Sequence, residues 1–285
     1  METADELQSR DEDARAGDGA GVQPGTYLLE LSLDWIVLRA SANIHHLLRE
    51  THLALVDEPL GKFVQPQALH DLRNHFSRLS GTTGIARAYA VRLTDDPDLV
   101  DIAFQLVDGC VLLEAVPSSG SFGECFGSVS GLIAGLSNAR GHALLDGGAR
   151  RMRALTGYDR VTLVCGNERA ESSRGAFGGP AELKSDLPAI VCDAEASAVQ
   201  VFPPLREHSA VADALMRACG EQDVHQLRDE GVRAVLRVPF SVDGISGEFR
   251  CDSRTVRQPS FELHAAAELF AQLLALRLEL DRLRS

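Results

Sequence analysis

Within nine residues, Arg217, Cys219, Asp223 and His225 fall in the stretch ALMRACGEQDVHQLRDEGVRAVLRVPF, residues 214–240. A guanidinium is a planar fork of donors suited to a carboxylate. A thiol, a carboxylate and an imidazole make a nucleophilic set only where the fold brings them together, and proximity along a chain does not supply that. The reading is a polar loop rather than a catalytic centre, and no enzymatic activity is expected. His45 and His46 are adjacent on a helical stretch, which turns them apart and denies them the i, i+4 spacing of paired metal ligands. GAFGG (175–179) reads as a turn, not a phosphate cradle. The six cysteines are scattered with no CxxC pair, which fits reduced thiols better than disulfides or zinc.

These residues need elements to hold them. YLLELSLDWIVLR (27–39) is two apolar runs around Ser-Leu-Asp and predicts a hairpin. Helical spacing follows at 42–50 and 66–80, then three alternating runs at 84–93, 99–109 and 110–117, broken at Asp95-Asp96-Pro97 and Asp108-Gly109. Beyond a Gly/Ser-rich link, residues 128–156 have a helical period that Gly147-Gly148 is expected to bend or break. YDRVTLVCG is a strand, 184–216 is irregular with short helices, and 232–253 is a hairpin turning at Asp243-Gly244. A last helix covers about 260–284. Its Ala266, Leu269, Leu273, Leu276, Leu280 and Leu283 are spaced 3, 4, 3, 4, 3, a heptad seam able to pair two chains. Leu274 and Leu278, outside the seam, suit instead an amphipathic helix lying on its own sheet.

Composition narrows the partners. A net charge of -13 repels phosphate backbones and anionic lipid, so nucleic acid is not expected as a partner. No apolar run reaches the roughly 20 residues that span a bilayer, and the N-terminus lacks the regions of a signal peptide; no membrane and a cytoplasmic location are expected. Seven acids within the first 18 residues, with few large apolar side chains, predict a disordered tail over 1–20.

Two strands, short helices and three antiparallel strands resemble the order of a PAS domain; helix, strands, irregular insertion, hairpin and helix resemble that of a GAF domain. The expected fold is α+β: acidic tail 1–20, PAS domain 21–118, linker 119–127, and GAF domain 128–285 ending in a dimerisation helix, each domain a central antiparallel sheet flanked by helices. In that order, VQPGTYLLEL (22–31), RASAN (39–43), LTGYDRV (155–161), SDLP (185–188), LRDEGVRAVLRVPFSVDG (227–244) and FELHAAAELFAQLLALRLE (261–279) resemble the landmarks of the PAS–GAF half of bacterial phytochromes.

That family binds the linear tetrapyrrole biliverdin, and the resemblance implies a set of site residues. Asp186 matches an aspartate whose carbonyl serves the pyrrole nitrogens. Arg217 matches an arginine that pairs with a propionate, Asp223 stands where the family keeps a histidine under the rings, and Ser253 replaces a histidine that touches the outermost ring. Val164-Cys165-Gly166 stands where an aromatic wall is usual, and 186–217 corresponds to a shortened lasso around the segment before the PAS domain. The family attaches its chromophore through a cysteine ahead of the PAS domain, whereas the first here is Cys110. A PHY domain and an output domain are not expected. The implied function is a phytochrome-like sensory module with a degenerate bilin pocket, acting as a homodimer on an unidentified signalling protein; the alternative is a red-light or ligand sensor holding biliverdin, or a smaller molecule, without a covalent bond.

Overall fold

The computed structural model of the chain describes residues 21–79, 84–120, 123–183, 186–204, 210–242 and 244–284. The expected acidic tail 1–20, Ser185 of the SDLP stretch and the turn residue Asp243 lie outside them. The described residues form two compact units: one takes those of 21–118 together with those of 196–224, the other those of 119–195 and 225–284.

In chain order the first unit holds β1 (Gly21–Val22), β2 (Tyr27–Leu31), β3 (Val37–Ser41), α1 (His45–Leu48), α2 (His52–Leu55), α3 (Pro66–Ser77), β4 (Ala86–Val91), β5 (Val100–Val107) and β6 (Cys110–Pro117). The second holds α4 (Glu124–Ala134), α5 (His142–Thr156), β7 (Arg160–Cys165), β8 (Glu168–Ser173) and β9 (Ile190–Val191). The chain then supplies β10 (Val199–Phe202) to the first unit, passes through α6 (Glu221–Glu230), and closes the second with β11 (Ala234–Val242), β12 (Ile245–Ser253) and α7 (Phe261–Arg282).

The first unit's sheet runs β1-β10-β3-β2-β6-β5-β4 with antiparallel neighbours. One set of its side chains packs with Trp35, Ile44, Leu55 and Leu72 into a core; the other set, Leu28 and Leu112 among them, packs with Val201, Ala210, Val211 and Ala214 from the excursion 196–224. Burial on both faces explains why β6 reads as a nearly continuous apolar run rather than an alternating one. The hairpin predicted at 27–39 is present, with Leu29 opposite Ala40. His45 and His46 depart from expectation: their ring centroids lie 4.0 Å apart. The helix there is four residues long and continues a 3-10 turn, so the divergence expected from a regular helix does not apply.

In the second unit the sheet order is β8-β7-β12-β11-β9. Phe249 of β12 packs on Phe270 of α7 with centroids 6.1 Å apart, placing the helices against that face. Gly147 and Gly148 do not break α5, which runs through both. They serve close packing instead: a Cβ at Gly147 would come within 2.6 Å of Leu136 Cδ2, and one at Gly148 within 2.7 Å of Leu274 Cδ2. Two carboxylates of α7 tie down the helix entries beside it. Glu262 Oε1 accepts the N–H groups of Gly123 at 2.9 Å and Cys125 at 3.1 Å, while Asp281 Oδ2 accepts that of Gly141 at 2.7 Å, each placing negative charge at a helix N-terminus.

Candidate ligand site

Arg217 and Asp223 are carried by the first unit, Asp186 and Ser253 by the second. Arg217 is placed by main-chain pairing. Gln23 N–H donates to Met216 O at 3.0 Å, Ala218 N–H to Gly21 O at 2.8 Å, and Val22 bridges Arg217. Gln23 Nε2 donates to the Arg217 carbonyl at 3.1 Å. On its other side β1 pairs with β10, Gly21 opposite Gln200. Residues 21–23 are thus bracketed by two stretches of one excursion, 199–202 and 216–218. Glycine is required at the entry, because a Cβ on Gly21 would stand 2.6 Å from Val199 O.

Asp223, 8 % exposed, lies on the buried face of α6 with Leu227, whereas His225 is exposed. Burial, with the charge of Asp223 adding to it, pushes the Cys219 thiol up to about 12. A thiol so held stays protonated at neutral pH and is a poor nucleophile. The clefts of the first unit include one of about 230 Å³ lined by Tyr27, His46, Asp96 and Asp98 among others; neither Arg217 nor Asp223 borders it.

In the second unit, strand alternation sorts the hairpin. Ser253 falls with Phe249 and Cys251; Arg250 and Asp252 fall on the opposite face. Ser253 is buried, with its Oγ 3.3 Å from Thr255 Oγ1 and 3.5 Å from Asp159 Oδ2. Asp186 is exposed.

The face opposite Phe249 carries a closed ring of charge that sequence reading missed. Asp252 Oδ2 accepts Arg160 Nε at 2.7 Å and lies 2.7 Å from Arg160 Nη2, and Asp252 Oδ1 accepts Arg250 Nε at 2.8 Å. Glu230 Oε2 completes the ring, bonded by Arg250 Nη2 and 3.4 Å from Arg160 Nη2. The side chains of Arg250 and Asp252 are 0 % exposed, that of Arg160 2 % and that of Glu230 7 %. The remaining nitrogens bond main chain: Arg160 Nη1 to Gly179 O and Arg250 Nη1 to Glu182 O. Beside the ring, Arg237 pairs with Glu248 at 2.6 Å. The ring's two cations and two anions cancel, and every guanidinium nitrogen of Arg160 and Arg250 has at least one partner.

A bilin carries two propionates, which call for cations not already neutralised. The second unit's buried arginines do not fit that demand, because their partners are built in. Arg160 and Asp252 sit directly opposite each other in the β7–β12 register, a pairing that no local pattern in the sequence announces.

No protein-family model matches the chain, and no curated protein matches it. Solved structures do. A chromophore-binding domain of a bacteriophytochrome from R. palustris, described as unusual, is 22% identical with a TM-score of 0.70, covering 95% of this chain and 98% of that one. The chromophore-binding domain of a phytochrome from Stigmatella aurantiaca is 20% identical with a TM-score of 0.74, over 93% and 96% of the two chains. Against a longer structure of the R. palustris protein the TM-score is 0.74 at 22% identity, and this chain covers 60% of that one. With its mixed helices and curled antiparallel sheets, the chain has the PAS–GAF fold of bacteriophytochrome chromophore-binding domains.

Proposed function

We propose that this chain is a phytochrome-like signal-transduction module whose GAF unit holds its shape without a chromophore, and that it acts through protein–protein contact. The observation that carries this reading is the internally paired Arg160–Asp252–Arg250–Glu230 ring, two cations against two anions. It supplies internally the charge balance that a bound tetrapyrrole acid would otherwise contribute. Dimerisation is the second part of the proposal. Leu269, Leu276 and Leu280 of α7 and Leu283 at its C-terminal cap are exposed by 39 to 71 %, while Ala266, the first position of the expected seam, is fully buried with Leu274 and so leaves the seam to the leucines. An exposed leucine stripe at heptad spacing on a helix anchored to its own fold suits pairing with a second copy.

The test is to mix the purified protein with biliverdin. No red absorbance band is expected, nor zinc-dependent fluorescence at the protein band of a denaturing gel, since no cysteine precedes Cys110. A stable red band would overturn the chromophore-independent reading. A second reading, non-covalent biliverdin binding, draws support from Arg217, whose side chain is half-buried with its backbone fixed by Gln23, and whose Nη1 lies 3.5 Å from the Ala218 carbonyl. In that case Asp223, carried by the same unit, would be the residue to vary beside it.

A further inference from the structure

Glu114 stands in the middle of β6 at 1 % exposure, within the layer between the first unit's sheet and its excursion. Its two oxygens accept consecutive main-chain N–H groups of that excursion: Oε2 from Leu215 at 2.8 Å and Oε1 from Met216 at 2.9 Å. Apolar side chains surround the contact, Leu28 and Leu112 from the sheet and Ala210 and Ala214 from the excursion. A carboxylate buried among hydrocarbon is costly, and two N–H donors offset only part of that cost.

Among the described residues, the register puts Glu30, Asp101, Cys110 and, two strands away across Ala103, Arg87 on the same sheet face. Glu30 is paired with Arg39 at 2.8 Å, and Asp101 Oδ1 accepts the Ala90 N–H at 2.9 Å. From the excursion, Asp213 and Arg217 are the nearest charged residues in sequence, and the Asp213 carbonyl is held by Gln105 Nε2 at 3.1 Å.

We propose that Glu114 is a proton-operated latch: with its proton on, residues 214–217 lie closed against the sheet, and ionisation loosens them and with them the placement of Arg217. The neutral acid keeps its carbonyl oxygen as acceptor for one of the two N–H groups and removes the desolvated charge. The latch requires no bound chromophore.

Burial pushes the Glu114 carboxyl up to about 7 from its ordinary 4.5, against the pull of the two N–H groups. Between those values the closed form holds more protons than an open form exposed to water. Closure is therefore fully favoured below pH 4.5, and its advantage is lost as pH rises to about 7. Linkage limits the change to tenfold per pH unit, or roughly 300-fold in all.

Amide hydrogen exchange of Leu215 and Met216 in the full chain, corrected for intrinsic rate, tests this. Protection should fall steeply from about pH 5 to 7 and level off above, while the Leu72 amide in the core of the same unit shows no such step. Glu114→Gln should remove the step. A flat profile at Leu215 and Met216, an equal step at Leu72, or a step persisting in Glu114→Gln would each overturn the latch. Should the glutamine variant fail to fold, carboxyl carbon shifts of labelled glutamate in the wild type decide instead: a Glu114 midpoint above about 5.5 supports it and a lower one overturns it.

Discussion

Replacing Asp252 by asparagine removes one charge and almost no volume, yet it strikes the centre of the buried ring. Three guanidinium nitrogens meet this carboxylate, Arg160 Nε and Nη2 at 2.7 Å and Arg250 Nε at 2.8 Å, with both Asp252 and Arg250 fully buried. Asparagine keeps one oxygen and turns an NH2 toward a donor. Two arginines then share the single charge of Glu230. Removing one partner of a buried pair costs about 3–5 kcal/mol, because the charge left behind stays desolvated. In urea that amounts to a midpoint lowered by about 2 M for an m-value near 2 kcal/mol/M. Trp35, the chain's one tryptophan, lies in the first unit's core, so far-UV ellipticity is the better reporter for the second unit. Replacing the whole ring with apolar residues of similar volume, Arg160→Met, Arg250→Met, Asp252→Leu and Glu230→Leu, should recover most of the loss, since no charge is stranded. A loss below about 1 kcal/mol in Asp252→Asn would refute the reasoning by showing that water reaches the ring.

Two further outcomes are expected. Leu273→Asp with Leu280→Asp should turn a dimer into a folded monomer in sedimentation, because each leucine buried in a seam contributes about 1.5–3 kcal/mol; a wild type already monomeric at micromolar concentration would count against the seam. If biliverdin binds reversibly, Arg217→Ala should weaken it by one to two decades, the equivalent of about 1.5–3 kcal/mol for a charge-assisted bond, and an unchanged affinity in an absorbance titration would remove Arg217 from the site.

Much of the architecture was legible without coordinates. Alternating and helical periods located β2, β3, α3, β5, β6, β11, β12 and α7, because each pattern reflects one face meeting one core. The resemblance of VQPGTYLLEL and LRDEGVRAVLRVPF to phytochrome landmarks anticipated the fold that the solved structures share. Short strands were missed. β9 and β10 are two and four residues long, too brief for a period, and β8 is a polar edge strand, ERAESS.

What no local pattern could carry is partnership between distant residues. Residues 196–224 join the first unit because Gly21 and Val22 pair with Gln200 and Val199, positions that only folding brings side by side. Gly147 and Gly148 have the composition of a helix break, and became contact points because Leu136 and Leu274 arrive from other segments. Arg160, Glu230, Arg250 and Asp252 each read singly as an ordinary polar residue. Their meaning lies in mutual neutralisation under burial, which arises when β7 and β12 come into register and Glu230 of α6 closes the ring. Glu114 is the same case: a single acid in an apolar strand takes its role from two N–H groups a hundred residues away, and the low dielectric that makes it responsive exists only once the excursion covers it.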